Sequence, residues 1–274
     1  MLSFSELKKN IKKDYSAFKP LKLAVLGDSS TQFLVQALKG MCYQYQVNPE
    51  IFEADFNQVE RQVFDPSSEL YQFQPDIVLV FKSSEKFLGR FYKTSPAGKS
   101  SFADTEMDTV KNIYNTLTER LKCKVLYYNL GYINDAVFGN FANKTNQSFI
   151  YQLRRFNYEL MNLAQEAKNL FVVDVNLLQS QTGRSSMFAA NIYINTDSVF
   201  NIDFLPAVTR QTLDVITAIQ GKVKKCVIVD LDNTMWGGII GDDGLENIQI
   251  GSLGIGKAFT EFQYWLKSLK ERGI

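Results

Sequence analysis

Two carboxylates stand two positions apart in the run Val227-Ile-Val-Asp230-Leu-Asp232-Asn-Thr234. Cys226 and the three residues after it make an apolar stretch of the kind that forms a buried strand, and that strand would deliver both acids to its C-terminal end. Strand side chains alternate, so the acids point to opposite faces unless the backbone bends after Asp230. At the C-terminal edge of a parallel sheet such a bend lets the first acid face the substrate crevice while the second swings over it. The first can then attack a phosphoryl or acyl-phosphate centre, and the second can pass a proton to the leaving group. Mg²⁺ would hold the anionic substrate against the nucleophile. The plainer alternative is an acidic strand end that caps a helix or turn. The apolar run before the acids and Trp236-Gly237-Gly238 after them favour the catalytic reading.

Three other constellations invite chemistry. Gly251-Ser-Leu-Gly-Ile-Gly256-Lys257-Ala258 fits a phosphate-binding GxxxxGK[ST] loop except at its last position. That loop needs a hydroxyl on Mg²⁺, which Ala258 cannot supply, so a glycine-rich lead into a helix is the better reading. Gly27-Asp28-Ser29 follows the first strand, but the chain contains no His to activate a serine. Cys226 would share a strand face with Ile228 and Asp230, where a thiol could accept an acyl group, although cysteine is more often plain core. Cys42 and Cys123 read as packing.

The elements that must position these residues follow from the apolar pattern. Residues 21–28, 49–56, 76–81, 124–130 and 170–175 read as strands, the last three nearly continuous in apolar character, as in a parallel sheet covered on both faces. Between and after them, 30–40, 105–122, 148–168 and 205–220 read as helices, with Thr105–Asp108 in capping-box form and Ser148 near a helix start. The alternation predicts a three-layer α/β/α domain. It takes in 1–220 together with an N-terminal amphipathic helix built on Leu2, Phe4, Leu7, Ile11, Tyr15 and Phe18. The polar stretch 221–225 then interrupts. A strand at 226–232 follows, with seven of the 16 glycines between 237 and 256, and an amphipathic helix at 256–272. A single strand and helix cannot close a sheet, so 226–274 reads as the opening βα unit of a second α/β domain that continues past Ile274.

Composition excludes several classes. The chain has 274 residues, 45% hydrophobic, and 30 basic against 29 acidic side chains. It carries no basic excess for a nucleic-acid partner and no apolar run to span a membrane. Three scattered cysteines suggest neither a disulfide framework nor a zinc site, and the absence of His excludes a His-ligated metal. With no secretion-type leader visible, a cytoplasmic location is expected.

The longer run from Lys225 through Asp230-Leu-Asp232-Asn-Thr234-Met-Trp236-Gly237-Gly238 to Gly244 resembles the signature of FkbH-like proteins of the haloacid-dehalogenase (HAD) superfamily. Phe259–Gln263 and Lys270–Gly273 fit it too. The resemblance implies a phosphatase-type enzyme that takes a phosphorylated glycerate and loads the three-carbon acyl group onto an acyl carrier protein in a biosynthetic pathway. It implies Asp230 as nucleophile and Mg²⁺ ligand, and Asp232 as acid/base lending its backbone carbonyl to the metal. Thr234 would support the loop, and Trp236, Gly237 and Gly238 would lie in a flap, 235–244, at the substrate. The family's remaining catalytic residues would lie past Ile274, so this chain alone is expected to be inactive.

Gly27-Asp28-Ser29, in turn, resembles the nucleophile block of SGNH hydrolases, in degenerate form. Lys82-Ser-Ser-Glu85 replaces that family's G-x-N-D, Gly131-Tyr-Ile-Asn134-Asp135 is one residue too long to supply it, and Asp197-Ser-Val-Phe200 has Phe where the base should be. A silent SGNH-like domain joined to a HAD-like phosphatase is therefore expected. The rival is a non-catalytic module that docks a carrier protein or sugar. The apolar face of 256–272 (Phe259, Phe262, Trp265, Leu266 and Leu269) is expected either to pack on the first domain or to mediate self-association.

Overall fold

A computed structural model describes residues 2–274, which divide into two compact units, one ending at Ile216 and the other Thr217–Ile274. The first unit is built on five strands: β1 (Lys19–Gly27), β2 (Val47–Glu53), β3 (Ile77–Phe81), β4 (Lys124–Tyr128) and β5 (Leu170–Val173). Every neighbouring pair is parallel, in the order β2-β1-β3-β4-β5. All five predicted strands form, and β2 stops at Glu53, leaving Phe56 exposed in the loop beyond.

Alternation along the strands sorts the core into two faces. Ala24, Leu26, Val78, Val80, Val125 and Tyr127 pack with residues of the helices Ser84–Lys93, Phe102–Arg120 and Phe149–Glu166. The intervening Leu23, Val25, Leu79, Phe81, Leu126 and Tyr128 are also buried. On that side the Tyr128 hydroxyl lies 2.9 Å from Thr212 Oγ1 on the helix Leu205–Ile219. The sheet is thus covered on both faces, which is why its strands read as unbroken apolar runs.

Several expected boundaries move. The helix at Thr105 begins earlier, at Phe102, so Thr105 is not a cap; its hydroxyl bonds the Ser101 carbonyl from inside the helix. Ser148 is a true N-cap, accepting the Tyr151 amide. The N-terminal helix ends at Asn10, with Ser3 and Glu6 forming a reciprocal cap. Tyr15 and Phe18 belong instead to an edge-to-face cluster with Tyr43. Among the described residues, no helix is long and apolar enough to cross a membrane.

The second unit corrects the sequence reading most. Residues 223–230 form no strand, and Ile228 is 93% exposed. A strand needs a neighbour to take its backbone hydrogen bonds, and residues 217–274 offer this segment none. Isolated bridges, Asp232 to Trp236 and Gly237 to Gln249, are what remain of β pairing there. Cys226 is correspondingly exposed, and its expected alternation with Ile228 and Asp230 has no strand to act on. The amphipathic helix does form, as Gly254–Glu271. Phe259, Phe262, Leu266 and Leu269 are half-buried and Trp265 is exposed.

Candidate functional site

At the C-terminal edge of the sheet, β1 leads directly into Asp28 and Ser29. Ser29 is fully buried, its Oγ 3.1 Å from Asp28 Oδ1 and 2.9 Å from Ser83 Oγ. The same Asp28 oxygen accepts the Ser83 amide at 2.8 Å, and Ser83 Oγ accepts the Lys86 amide as the cap of the next helix. These bonds tie the ends of β1 and β3 together. Burial raises the Asp28 carboxyl above its ordinary range despite the Ser83 amide and the Arg90 charge. Asp28 Oδ2 has no hydrogen-bond donor, and Arg90 Nη1 stands 3.6 Å away. Arg90 is itself clamped by both oxygens of Glu106, at 2.9 and 2.8 Å. Beside this cluster, buried Lys82 pairs with Glu60 at 2.6 Å.

None of the positions that would serve a serine hydrolase is free to do so. Ser84, at the place of the oxyanion-binding Asn, spends its hydroxyl on the Gly131 carbonyl at 2.7 Å. Asn134 caps a turn through the Ala136 amide. Asp197 adopts a left-handed conformation, accepts the Ser30 amide on its carbonyl, and pairs with Lys86 at 3.0 Å. Phe200 is buried with its ring 5.0 Å from that of Phe81, filling with core the place of a base. A buried hydroxyl with no base is not a nucleophile. Sequence reasoning missed Arg90 and Glu106, because a charge pair joining two separate helices leaves no local spacing to read.

The second unit holds the two acids. Asp230 is exposed, and its Oδ1 accepts the amide of the next residue, Leu231, at 2.9 Å. Asp232 is half-buried, and its Oδ1 accepts two donors, the Trp236 indole N–H at 3.0 Å and the Ile240 amide at 3.2 Å. Between them the chain turns tightly. The Met235 amide bonds the Leu231 carbonyl at 2.7 Å, and Thr234, half-buried, reaches the same carbonyl through its amide. Asn233 takes φ 54°, a conformation asparagine tolerates. Its side chain accepts the Gly238 amide at 2.9 Å, closing the turn.

Gly237 and Gly238, expected in the flap at the substrate, also serve the packing of the loop itself. A Cβ on Gly237 would stand 2.8 Å from Gln249 Oε1 and 2.9 Å from Phe259 Cε2. Gly238 has φ +100°, and a Cβ there would meet Asp243 Oδ2 at 2.8 Å. These glycines let the loop pack against its own surroundings. Asn233 and Asp243, whose Oδ2 holds the Ile239 amide, are loop-forming residues that the sequence reading passed over.

For Mg²⁺ the donor chemistry fits. The Asp230 carboxylate and the Asp232 carbonyl are hard oxygens, and Mg²⁺ takes one or two carboxylates together with waters and substrate phosphate. Among the described residues no group of three or more His, Cys, Asp or Glu side chains is arranged to hold a metal, so no preformed carboxylate cage exists here.

Fold and site together define an α/β protein with a flavodoxin-like strand order, a sealed serine at the sheet edge and a separate two-aspartate loop. Residues 22–217 match the FkbH, N-terminal domain family, and the chain belongs to that family. The N-terminal part of the protein BF1531 from Bacteroides fragilis, containing a phosphatase domain and crystallised with Mg, is 45% identical to it. That likeness covers 100% of this chain and 72% of that one, with a TM-score of 0.94. A lipase/acylhydrolase from Enterococcus faecalis is 15% identical over 76% of this chain and all of its own, at a TM-score of 0.46. The acetyl xylan esterase AlAXEase is 12% identical over 72% of this chain and all of its own, at 0.45. Likenesses that distant say nothing of chemistry. No curated protein matches the chain.

Proposed function

We propose that this chain contributes the nucleophile loop of a HAD-type phosphatase acting on a phosphorylated small molecule. A glycerate-like three-carbon acyl phosphate is the substrate, and an acyl carrier protein receives the acyl group as its thiol attacks the carbonyl and the acyl–phosphate bond breaks. The observation that carries the reading is the pairing of an exposed Asp230 with an Asp232 whose Oδ1 is fixed by two N–H donors, in one tight turn. The 45% identity to a protein containing a phosphatase domain supports it.

In this reading an Asp230 oxygen attacks phosphorus as the bond to the substrate oxygen breaks. That oxygen leaves with a proton from the Asp232 carboxyl. Asp232, now a carboxylate, next takes a proton from water, the water oxygen attacks the aspartyl phosphate, and inorganic phosphate departs, restoring Asp230. Mg²⁺, held by the Asp230 carboxylate and the Asp232 carbonyl, would neutralise the phosphoryl charge. The first unit takes no part in this chemistry. Its sealed Ser29 favours a binding or positioning role for that unit, and the corresponding second reading of the protein is a non-catalytic docking module.

Phosphate release from phosphorylated three-carbon acids by the full-length protein distinguishes the two readings. Asp230→Asn is expected to abolish release while leaving the fold intact. Release at the wild-type rate from that variant would refute the catalytic reading.

A further inference from the structure

The one polar atom of the flap residue Trp236 is committed within the loop itself. The indole N–H donates to Asp232 Oδ1 at 3.0 Å, joined there by the Ile240 amide at 3.2 Å. The backbone around Trp236 leaves it little choice. Met235 is anchored by its carbonyl to the side-chain amide of Gln263 on the helix Gly254–Glu271, at 2.7 Å. Gly237 exchanges both backbone bonds with Gln249, at 3.0 and 2.7 Å, and has no room for a side chain. Residue 236 is therefore held between two fixed neighbours, with its ring aimed at the acid four residues before it.

We propose that Trp236 is the positioning residue for Asp232. The inference rests on the phosphatase reading, in which Asp232 is the acid/base. Both N–H donors meet the same oxygen, Oδ1, so together they fix the orientation of the carboxyl group. Oδ2, to which no described residue donates, is therefore the oxygen left to work at the leaving group. Rotation about the carboxylate bond would exchange the two oxygens, and the indole prevents it. Trp236 thus determines which oxygen faces the leaving group without touching substrate itself. The same bond ties the flap to the acid/base through Trp236 and Ile240, so the flap and the carboxyl are placed as one piece.

Trp236→Phe keeps a ring in the loop and removes only the donor. In the full-length protein, kcat for phosphate release is expected to fall roughly tenfold to a hundredfold, the range for losing a hydrogen bond that orients a working side chain. KM should stay near the wild-type value, because the substrate contacts are unaltered. A second readout needs no turnover. In the present chain the ¹⁵N–¹H indole resonance of Trp236, assigned with Trp265→Phe, should shift upfield in Asp232→Ala as the bond is lost. Wild-type kcat in Trp236→Phe, beside an inactive Asp230→Asn, would overturn the inference and leave the phosphatase reading standing. An indole resonance unmoved by Asp232→Ala would overturn it as well. Full turnover in Asp230→Asn would instead remove the phosphatase reading on which the inference depends.

Discussion

Asp28 shows how one buried carboxyl can do structural work at the end of a strand. Its Oδ1 binds the Ser83 amide and stands beside Ser29 Oγ, so it laces two strand ends together where a hydrolase would carry out its reaction. That lacing puts a carboxyl where burial disfavours its charged form. Burial raises the folded-state carboxyl above the ordinary 3.8, against the opposing pull of the Ser83 amide and Arg90. For an acid whose folded value is raised, its contribution to stability is fully present below the unfolded value and is lost as pH rises through the folded value. Asp28→Asn keeps an acceptor for the Ser83 amide and removes the titration. Urea unfolding followed by far-UV circular dichroism should therefore show the variant gaining on the wild type from acid to neutral pH. A stability difference that stays constant across that range would mean that Asp28 is not the group responsible.

At the scale of elements, close approach is bought with glycine. The helix Phe4–Asn10 lies against the helix Gln32–Gln44 at Gly40, where an added Cβ would run into the backbone of Leu7. Asn10 adds a bond from its side-chain amide to the Gly40 carbonyl at 3.3 Å, and Leu7 is fully buried. Backbone cannot yield as a side-chain tip can, so Gly40→Ala must push the two helices apart. Overpacking of this kind costs about 1–3 kcal/mol or more. The thermal midpoint should fall accordingly, whereas Gly89→Ala, in the helix Ser84–Lys93 with nothing near its missing Cβ, should hold or raise it. Equal midpoints for the two variants would show that the helix contact is looser than the structure draws it.

For the molecule as a whole, two units meet two different kinds of stabilisation. The first buries an apolar core on both faces of a five-stranded sheet. In the second, Gly237 and Gly256 are the buried residues, and its order comes from local hydrogen bonds around Asn233, Asp232, Asp243 and Thr260. The stretch Gly221 to Lys225, inside the second unit just past the helix Leu205–Ile219, is exposed and holds Lys222, Lys224 and Lys225 without regular structure from Val223 on. Limited trypsin digestion is expected to cut there first and to leave a resistant fragment ending near residue 222, since exposed irregular backbone is the preferred site of nicking. Mass spectrometry would identify the cut. Early cleavage inside the sheet unit, with the 221–225 segment intact, would contradict this division.

The sequence by itself determined the layered α/β fold, because strands buried on both faces must be apolar throughout and the helices between them must be amphipathic. It also located the two-aspartate turn and exposed Ser29 as lacking a base, since both follow from residue identity alone. Tertiary structure decided the rest. Whether Cys226–Asp232 becomes a strand depends on a hydrogen-bonding neighbour, which no local pattern can supply, and here the segment is left without one. The roles of Arg90 and Glu106 depend on two helices meeting, and that of Gln263 on a helix returning to the loop. Trp236 is the clearest case: its place in the run put it in the flap at the substrate, and only the structure shows its indole N–H on the carboxylate of Asp232.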